Sequence, residues 1–503
     1  MQKNLSKNIV DDIISGLIIS FLAMPLSLGI AKASEFPPAM GLLTAIIGGI
    51  IVTFFTGCKL SIKGPAAGLI VIIIGAVSEF GGGEVGWRLT LGAIVVAGII
   101  QIIFGLMKLG KMAEIFPISA IHGMLAAIGL IIIIKQISVL LNVNPEIVKG
   151  KSLFETIFSI FYIIKNLDIK ASIIGFISLF IMLFWKKIKI DLIKKIPAPL
   201  IVLLITIPLG LMMDFKHTEP PYALLHIGNF FENIKLNVDF SGINQTGIFI
   251  KYVIMIALVG SLESLLTVKA VDILDPNKGK SNTDKDLIAV GIGNTISGLL
   301  GGLPMISEVA RSSTNIANGA KSQWANFFHG FFILLFLLLI PNVIEMIPTS
   351  ALAAMLISVG INLAHPREFK HAYEMGKDQL AIFLVTIFFT IYEDLLVGIF
   401  MGVLLQLVIL YVKGLKTKFL FKGKIEIISN SDNTFNIKIE EAGIFLNWLY
   451  FKDKIEKLPK NANITLDLNN LKIFDYSFKE NILNLKKDFN NLEIVDNSGK
   501  LLR

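Results

Sequence analysis

Charge and cysteine are scarce in this sequence of 503 residues. Charged residues make up 17% of the chain, against about 25% in soluble globular proteins. The only cysteine is Cys58, which excludes an intramolecular disulfide and a metal site built from several cysteines. No string of residues resembles a catalytic triad, a zinc-binding motif or a phosphate-binding loop, so the sequence does not indicate an enzyme or a resident cofactor.

The sequence is instead rich in long apolar runs. Hydrophobic residues make up 54% of the chain, and the mean hydropathy is +0.73. Residues 93–106 and 331–340 are apolar on every side, which only lipid or a very large protein interior can accommodate. The N-terminal run is long enough to span a membrane and has no signal-peptide cleavage site. The sequence therefore predicts a polytopic α-helical membrane protein that retains its first helix.

The apolar segments form two sets of about seven, on either side of a polar stretch at residues 214–245. The predicted segments lie at residues 9–30, 39–56, 65–78, 88–107, 117–142, 171–185 and 198–213, and then at 246–269, 287–301, 305–318, 324–340, 348–361, 379–391 and 394–413. We therefore predict a transmembrane domain at residues 1–413, with one half at 9–213 and the other at 246–413.

Basic loops alternate with loops that are acidic or nearly uncharged, except at residues 142–170, which contain four lysines. Lysine and arginine favour the cytoplasmic side of a membrane. The basic loops contain, among others, Lys59, Lys63, Lys108, Lys111 and the lysines of residues 186–195. Together with an even number of crossings, this pattern predicts a multi-pass protein of the cell (inner or plasma) membrane with both termini in the cytoplasm. The net charge of +8 is explained by these loops and does not indicate nucleic acid as a partner.

Two segments, at residues 65–78 and 305–318, are too short to cross a bilayer as helices. Each has about fourteen residues, or roughly 21 Å of helix against a hydrocarbon core of about 30 Å. Each begins near a glycine and a proline, which predicts a helix start. They are third in each half, and paired interrupted segments in matching positions of inverted repeats indicate a binding site at the membrane midplane. We expect their N-terminal N–H groups to attract an anion there.

The chain changes character from about residue 422. Residues 435–439 and 464–468 alternate apolar and polar side chains, as half-buried strands do. Residues 445–458 and 477–488 have helical spacing. Residues 422–503 are therefore predicted to form a small cytoplasmic α/β domain.

Several strings in both halves resemble the sulfate permease (SulP) family of anion transporters. They are Met24-Pro25, Phe36 to Leu42, Gly64-Pro65-Ala66-Ala67, Gly260 to Leu266 with Asp272, and Gly301 to Ser312 followed by Asn315 to Gly319. The tail resembles a STAS domain, with Asp475 after its central strand. The resemblance implies fourteen segments in a 7+7 inverted repeat, core and gate domains, and a homodimer. Leu26 and Glu308 depart from the family, which commonly has glutamine and a small residue at these positions.

The candidate anion site centres on Arg311. A charged side chain inside a membrane is costly unless it is paired or hydrated, so it usually lines a pathway. The resemblance implies that Arg311 is at the family's anion site. The further candidates are Lys63, Ala66, Ala67, Glu308, Val309 and Ala310. Two interpretations of Lys63 stay open, namely an ion pair with Glu308 across the cavity and an ordinary basic loop residue.

The candidate cation site centres on Glu263, with Thr267 one turn later. A carboxylate among hydroxyl groups can take up a proton or coordinate Na⁺, because hard cations prefer oxygen ligands. The resemblance implies a coupling carboxylate at Glu263. The alternative from the residues alone is a fixed salt bridge across the helices.

These observations predict a secondary active transporter of small inorganic anions that works by alternating access. Bicarbonate with Na⁺ or H⁺ is the first candidate and sulfate the second. A nucleobase carrier of the same fold and an anion channel stay open, because fold does not fix function. The expected partners are the anion, the coupling cation, the lipid bilayer and a second copy of the chain.

Overall fold

The computed structural model describes residues 2–144, 147–148, 153–185, 196–215, 223–225, 227, 230, 234–275, 280–393, 395–431, 433–459, 461–486, 489 and 491–496. The predicted basic loop at residues 186–195 and much of the predicted polar stretch at 214–245 lie outside these ranges.

Helices occupy most of the described part of the first 412 residues. They are α1 (Gln2–Ala33), α2 (Pro38–Ile46), α3 (Ile70–Glu79), α4 (Gly83–Leu106), α5 (Ile118–Leu140), α6 (Leu153–Phe158), α7 (Ile160–Lys165), α8 (Ile169–Phe184), α9 (Ala198–Met212), α10 (Thr246–Leu274), α11 (Thr283–Leu300), α12 (Val309–Ala317), α13 (Trp324–Leu339), α14 (Pro341–Glu345), α15 (Thr349–Leu363), α16 (Pro366–Glu374), α17 (Lys377–Tyr392) and α18 (Leu395–Val412). Each of the fourteen predicted apolar segments overlaps one of these helices.

Several helices have the length and composition of membrane spans. Among the described residues, six stretches are long and apolar enough, at Asn8–Ala33, Gly83–Leu106, Ile118–Leu140, Thr246–Asp272, Thr349–Glu374 and Leu395–Val412. Shorter apolar helices lie among them, including α3, α8, α9 and α13. The predicted helical membrane fold is therefore confirmed, while the number of fourteen crossings stays a prediction.

Small residues let the long helices approach closely. A methyl group on Gly98 of α4 would lie 2.7 Å from the backbone nitrogen of Thr295 in α11. On the other side of that contact, a methyl group on Gly291 would lie 2.6 Å from the carbonyl oxygen of Gly98. Backbone-to-backbone packing of this kind holds helices together in lipid, where no hydrophobic driving force between helices exists.

The chain forms two compact units. One comprises residues 1–110 and 128–364, and the other comprises residues 111–127 and 365–503. The first unit contains every candidate site residue named above. The division of the sequence at residues 413 and 422 remains a prediction of domain organisation.

The second unit contains the tail domain. Its strands are β3 (Lys424–Ser431), β4 (Thr434–Gly443), β5 (Asn463–Asp467), β6 (Leu471–Phe474) and β7 (Asn491–Val495), with helices α19 (Trp448–Ile455) and α20 (Tyr476–Leu485). The first two strands of the chain, β1 (Ile62–Pro65) and β2 (Met305–Glu308), lie in the first unit. β3 and β4 are antiparallel, whereas β5 and β6 run parallel to β4, and β7 runs parallel to β5. The predicted α/β tail is confirmed, although β3, β6 and β7 were not predicted.

Aromatic side chains form the core of this tail domain. Trp448 and Phe451 of α19 pack edge to face against Phe478 of α20, with ring centroids 5.9 and 5.7 Å apart. The carboxylate of Glu114, which precedes α5, accepts hydrogen bonds from Trp448 Nε1 and Lys452 Nζ at 2.8 Å. This contact ties the segment before α5 to the tail domain within the second unit.

Candidate functional site

The two short segments meet as a pair of antiparallel strands, β1 and β2. Ile62 pairs with Glu308, Lys63 with Ser307, Gly64 with Ile306 and Pro65 with Met305. The prediction that helices begin at these prolines is therefore wrong, because Pro65 ends β1 and α3 begins only at Ile70. Pairing across the two halves satisfies backbone groups that lipid leaves without partners.

Side chains of the surrounding helices complete the hydrogen bonds of this strand pair. The amide of Ile62 donates to Ser312 Oγ at 2.9 Å, and that of Lys63 donates to Asn326 Oδ1 at 3.0 Å. On β2, the amide of Met305 donates to Asn294 Oδ1 at 2.6 Å, and that of Ser307 to Ser264 Oγ at 3.2 Å. Each strand is thereby fixed in position by the helices on its outer side, and an open sheet edge in the membrane is avoided.

One face of the strand pair holds an ion pair between Lys63 and Asp286. Lys63 Nζ lies 2.8 Å from Asp286 Oδ1, and the two side chains are 0% and 1% exposed. Lys63 Nζ also donates to the hydroxyl groups of Thr56 and Ser61. Asp286 Oδ2 accepts a hydrogen bond from Ser307, the strand partner of Lys63, at 2.9 Å.

Both sequence-based interpretations of Lys63 are therefore wrong. Lys63 is fully buried, so it is not an ordinary loop residue. It is paired with Asp286 and not with Glu308, which sits one register position away, and side chains one position apart point to opposite faces of a sheet. With its donors engaged, the Lys63 ammonium is not a direct anion ligand.

The other face of the strand pair carries Arg311. Its side chain is 1% exposed, and a side chain added to Gly64 would overlap Arg311 Nη1, so the guanidinium lies directly over the β1 backbone. Nη2 donates to Ser27 Oγ of α1 at 3.4 Å. Nε and Nη1 have no hydrogen-bond partner among the described residues. A buried guanidinium with donors left over is suited to a bidentate anionic ligand.

Glu263 lies on the same side of the site. It is 6% exposed on α10, and its carboxylate contacts Gly68, where any added side chain would overlap it. Its Oε1 has no hydrogen-bond partner within the described part of the chain. Thr267, one turn later on α10, is also buried. The fixed salt bridge considered from the sequence is not formed by Glu263 with any described residue.

Glu308, which is half-buried, completes a group of three charges. It interacts electrostatically with both Arg311 and Glu263. Its Oε1 lacks a hydrogen-bond partner among the described residues, and no direct ion pair joins it to Arg311 there. One arginine and two carboxylates therefore lie near one another, with polar atoms that have no partner among the described residues and are left for a ligand.

The predicted backbone donors divide into two groups. Val309 and Ala310 form the exposed first turn of α12, and the side chain of Glu308 at the N-cap makes no capping hydrogen bond. The N–H groups of that turn therefore remain suited to an anion. By contrast, the amide of Ala66 donates to the carbonyl of Pro304 at 3.2 Å, and that of Ala67 interacts with the Glu308 carboxylate. The prediction of anion-binding N–H groups at Ala66 and Ala67 is corrected accordingly.

Sequence reasoning missed Asp286, His329 and Ser27. Asp286 lies in the first turn of α11, one residue before the predicted apolar segment that begins at residue 287. In the sequence it resembles an ordinary acidic residue at the start of a helix. His329 is fully buried on α13, interacts electrostatically with Arg311, and has no hydrogen-bond partner on either ring nitrogen in the described structure. A histidine within the apolar run of α13 is the one signal that could have identified it.

Comparisons with known proteins agree with this architecture. The sequence pattern of the sulfate permease family matches residues 9–386. The putative sulfate transporter YvdB of Bacillus subtilis is 29% identical over 402 residues, which are 79% of this chain and 72% of that protein. The bicarbonate transporter BicA of Picosynechococcus is 25% identical over 444 residues, covering 86% of this chain and 75% of that protein.

Solved structures share the fold. The transmembrane domain of a cyanobacterial BicA has a TM-score of 0.66 at 22% identity, covering 79% of this chain and 97% of that one. Murine Slc26a9 in its inward-facing state has a TM-score of 0.70 at 16% identity, covering 96% of this chain and 84% of that one. The family pattern spans well over half of the sequence. This chain belongs to the sulfate permease family of membrane transporters.

Proposed function

We propose that this protein carries a small inorganic anion across the membrane by alternating access, coupled to a cation through Glu263. The observation that supports this most directly is the buried guanidinium of Arg311, which lies over Gly64 with Nε and Nη1 free of partners among the described residues. An anion held there would also meet the free N–H groups at the start of α12.

Charge balance favours coupling between anion and cation. With both carboxylates ionised, Arg311, Glu263 and Glu308 sum to one negative charge in a buried site. An anion alone would increase that charge, at a cost that rises steeply as water is excluded. A Na⁺ ion held by Glu263 and Thr267, or a proton on Glu263, offsets it. Anion and cation therefore stabilise each other's binding.

The charge balance of the site supports bicarbonate as the first candidate substrate and sulfate as the second. A planar, monovalent anion matches the planar fork of one arginine, whereas a divalent anion needs more positive charge than Arg311 provides next to two carboxylates. The names of the relatives BicA and YvdB point to the same two anions.

A nucleobase carrier and an anion channel are the competing functions. Burying a guanidinium costs several kcal/mol of desolvation, and binding an uncharged base would not offset that cost. Arg311 is therefore evidence against a nucleobase carrier. A channel would pass current that neither saturates nor depends on a cation gradient. We further propose that the protein lies in the cell membrane with both termini in the cytoplasm, as the basic loops indicate. We propose a homodimer because the resemblance to the sulfate permease family implies one.

Replacing Glu263 with glutamine is expected to abolish accumulation of anion driven by a cation gradient. Glutamine keeps the size of the side chain but cannot hold a proton or balance Na⁺ with a charge. The measurement is uptake of labelled bicarbonate and sulfate by the purified protein in liposomes, with Na⁺ and H⁺ gradients imposed separately. Exchange of anion for anion is expected to survive, because Arg311 remains.

The matched control is Glu84→Gln, which changes an exposed glutamate paired with Arg88 and is expected to transport normally. Gradient-driven accumulation by Glu263→Gln at the wild-type level would remove Glu263 from the coupling step. Uptake of uncharged bases but of no anion, by the wild-type protein, would refute the proposed function itself.

Replacing His329 with phenylalanine is expected to weaken anion binding while leaving the fold intact. An imidazole N–H near Arg311 can donate to the anion or to its hydration water, and a hydrogen bond to a charged group contributes about 1.5–3 kcal/mol. We therefore expect KM to rise by roughly 10-fold or more, since 1.4 kcal/mol is a factor of ten. The measurement is the concentration dependence of uptake, together with thermal unfolding of the purified variant.

The control is His329→Asn, which keeps an N–H donor and should retain more of the affinity. If His329 were only a buried histidine of the core, phenylalanine would remove two unsatisfied nitrogens and raise stability with no change in KM. That result would exclude His329 from the site.

A further inference from the structure

The carboxylate of Glu308 lies on the same face of the strand pair as the guanidinium of Arg311. Successive side chains alternate between the two faces of a sheet, and directly paired residues share a face. Glu308 pairs with Ile62, two positions before Gly64, and Arg311 covers the side of Gly64 to which a side chain would point. The ion-paired Lys63 lies between them in β1 and points to the opposite face. The carboxylate and the guanidinium are therefore on one side of the sheet, where they interact electrostatically.

Glu308 does not use its carboxylate to cap its own helix. A side-chain oxygen at the N-cap position usually accepts a hydrogen bond from an N–H group in the first turn. The side chain of Glu308, at the N-cap of α12, makes no such bond. Its carboxylate instead accepts a hydrogen bond from the amide of Ala67, in the segment that leads from β1 to α3. Glu308 therefore reaches from the second half of the chain to a backbone donor of the first half.

This arrangement places the Glu308 carboxylate where a bound anion would lie. The amide of Ala67 is one of the donors that the sequence predicts for the anion, and Nε and Nη1 of Arg311 have no partner among the described residues. A carboxylate is planar, carries a single negative charge and offers two acceptor oxygens, as bicarbonate does. The second oxygen, Oε1, is buried and has no hydrogen-bond partner within the described ranges. The Glu308 side chain is therefore a chemical equivalent of the substrate, tethered to the site.

The charges around Glu308 decide how it affects an incoming anion. In the described structure, the charged and titratable groups on this side of the strand pair are Glu263 of α10, Arg311 of α12 and His329 of α13. Lys63, the charged residue of the neighbouring strand, is paired with Asp286 on the opposite face. Like charges a few ångströms apart repel each other strongly where water is scarce. An ionised Glu308 therefore repels a second anion and uses part of the attraction that Arg311 exerts.

We propose that the Glu308 carboxylate is an internal competitor of the transported anion, and that its protonation opens the site to substrate. The ionised form occupies the position next to Arg311, whereas the protonated form no longer repels the anion. A proton reaches the carboxylate from solution, because Glu308 is half-buried and the adjacent Val309 and Ala310 are exposed. This inference rests on the proposed anion transport and adds a regulatory step to it.

Replacing Glu308 with glutamine is expected to lower KM for the anion by roughly 10-fold at mildly alkaline pH, which corresponds to the removal of about 1.4 kcal/mol of competition. Glutamine keeps the size of the side chain and accepts the hydrogen bond of the Ala67 amide, but it carries no negative charge. Glu308→Ala removes the side chain and should lower KM at least as much. The measurement is initial uptake of labelled bicarbonate and of labelled sulfate by the purified protein in liposomes, across a concentration series. The control is Glu84→Gln, an exposed glutamate, whose KM should equal that of the wild type.

The pH dependence separates the charge of Glu308 from the other groups of the site. The quantity compared is the ratio of the wild-type KM to the KM of Glu308→Gln at each pH. In this ratio the titration of bicarbonate itself, of Glu263 and of His329 largely cancels. We expect the ratio to approach one at low pH, where Glu308 is protonated, and to rise toward high pH, where its charge competes with the anion.

Thermal unfolding establishes that each variant is folded, and Glu308→Gln carries the test if Glu308→Ala does not fold. A KM that is unchanged or higher in folded Glu308→Gln, or a ratio that does not vary with pH, would overturn the proposal, because Glu308 would then not compete with the anion. Absence of anion uptake by the wild-type protein would instead refute the proposed transport function. The two failures are therefore distinguishable.

Discussion

Replacing Arg311 with alanine is expected to reduce anion uptake by on the order of 100-fold or more while the protein still folds. In the proposed site the anion binds two guanidinium nitrogens that have no partner among the described residues, and hydrogen bonds to charged groups contribute about 1.5–3 kcal/mol each. The substitution also leaves Glu263 and Glu308 without their cation, so an anion approaching the site would be repelled. The measurement is initial uptake across an anion concentration series in liposomes.

Arg311→Lys should restore only part of this loss. The ammonium keeps the positive charge but lacks the planar fork that binds two oxygens at once. The matched control is Arg88→Ala, which removes a 40% exposed arginine paired with Glu84 at the surface. An unchanged KM for Arg311→Ala, with the protein folded and reconstituted, would place the anion elsewhere.

Much of the fold could be predicted because its strongest signals are local. The part of α4 from residue 91 to Leu106 is apolar apart from Gln101, and such a run is recognised without knowledge of its neighbours. The strand pair could not be predicted in this way. Four residues at Ile62–Pro65 and four at Met305–Glu308 become strands only because they pair with each other across more than 200 positions of sequence. A proline next to an apolar run indicated a helix start, and long-range pairing overrode that local preference.

The site was predictable to the extent that buried charge in a membrane is rare. That rule, together with the resemblance to the sulfate permease family, identified Arg311 and Glu263, and both are buried in the structure. Lys63 was misinterpreted because its partner, Asp286, is 223 positions away and appears in the sequence at the end of a loop that also contains lysines. His329 was missed because an aromatic-rich helix resembles an ordinary lipid-facing segment. The role of a charged residue depends on which residues lie next to it in the fold, and the composition of the sequence does not show this.

The ion pair of Lys63 and Asp286 connects the scaffold to the site. β1 is held on one face by this pair and carries Gly64, over which Arg311 lies, in the next register position. If the pair is removed, the strand has no charged anchor, and Arg311 loses the backbone surface on which it rests. The pair therefore acts on transport through the position of β1.

Breaking this pair is expected to be strongly destabilising and unequal between the two partners. Removing one partner of a buried ion pair costs about 3–5 kcal/mol, because the remaining charge is left in a dry environment. Asp286 would keep four other donors after Lys63→Met, from Thr56, Gly57, Cys58 and Ser307. Lys63 would keep only two hydroxyl groups after Asp286→Leu. We therefore expect Asp286→Leu to lower the thermal stability more than Lys63→Met.

The double variant Lys63→Met with Asp286→Leu should be more stable than the sum of the single losses predicts, because the second substitution removes the charge that the first one left unpaired. The control cycle uses Lys251 and Glu79, a surface pair at 2.9 Å with side chains 32% and 40% exposed. Its coupling should be small, about 0.2–1 kcal/mol. Unfolding temperature and uptake are measured for all variants. Additive losses in stability for the buried pair, or a changed KM for Lys63→Met at unchanged stability, would show that Lys63 does not anchor β1 through Asp286.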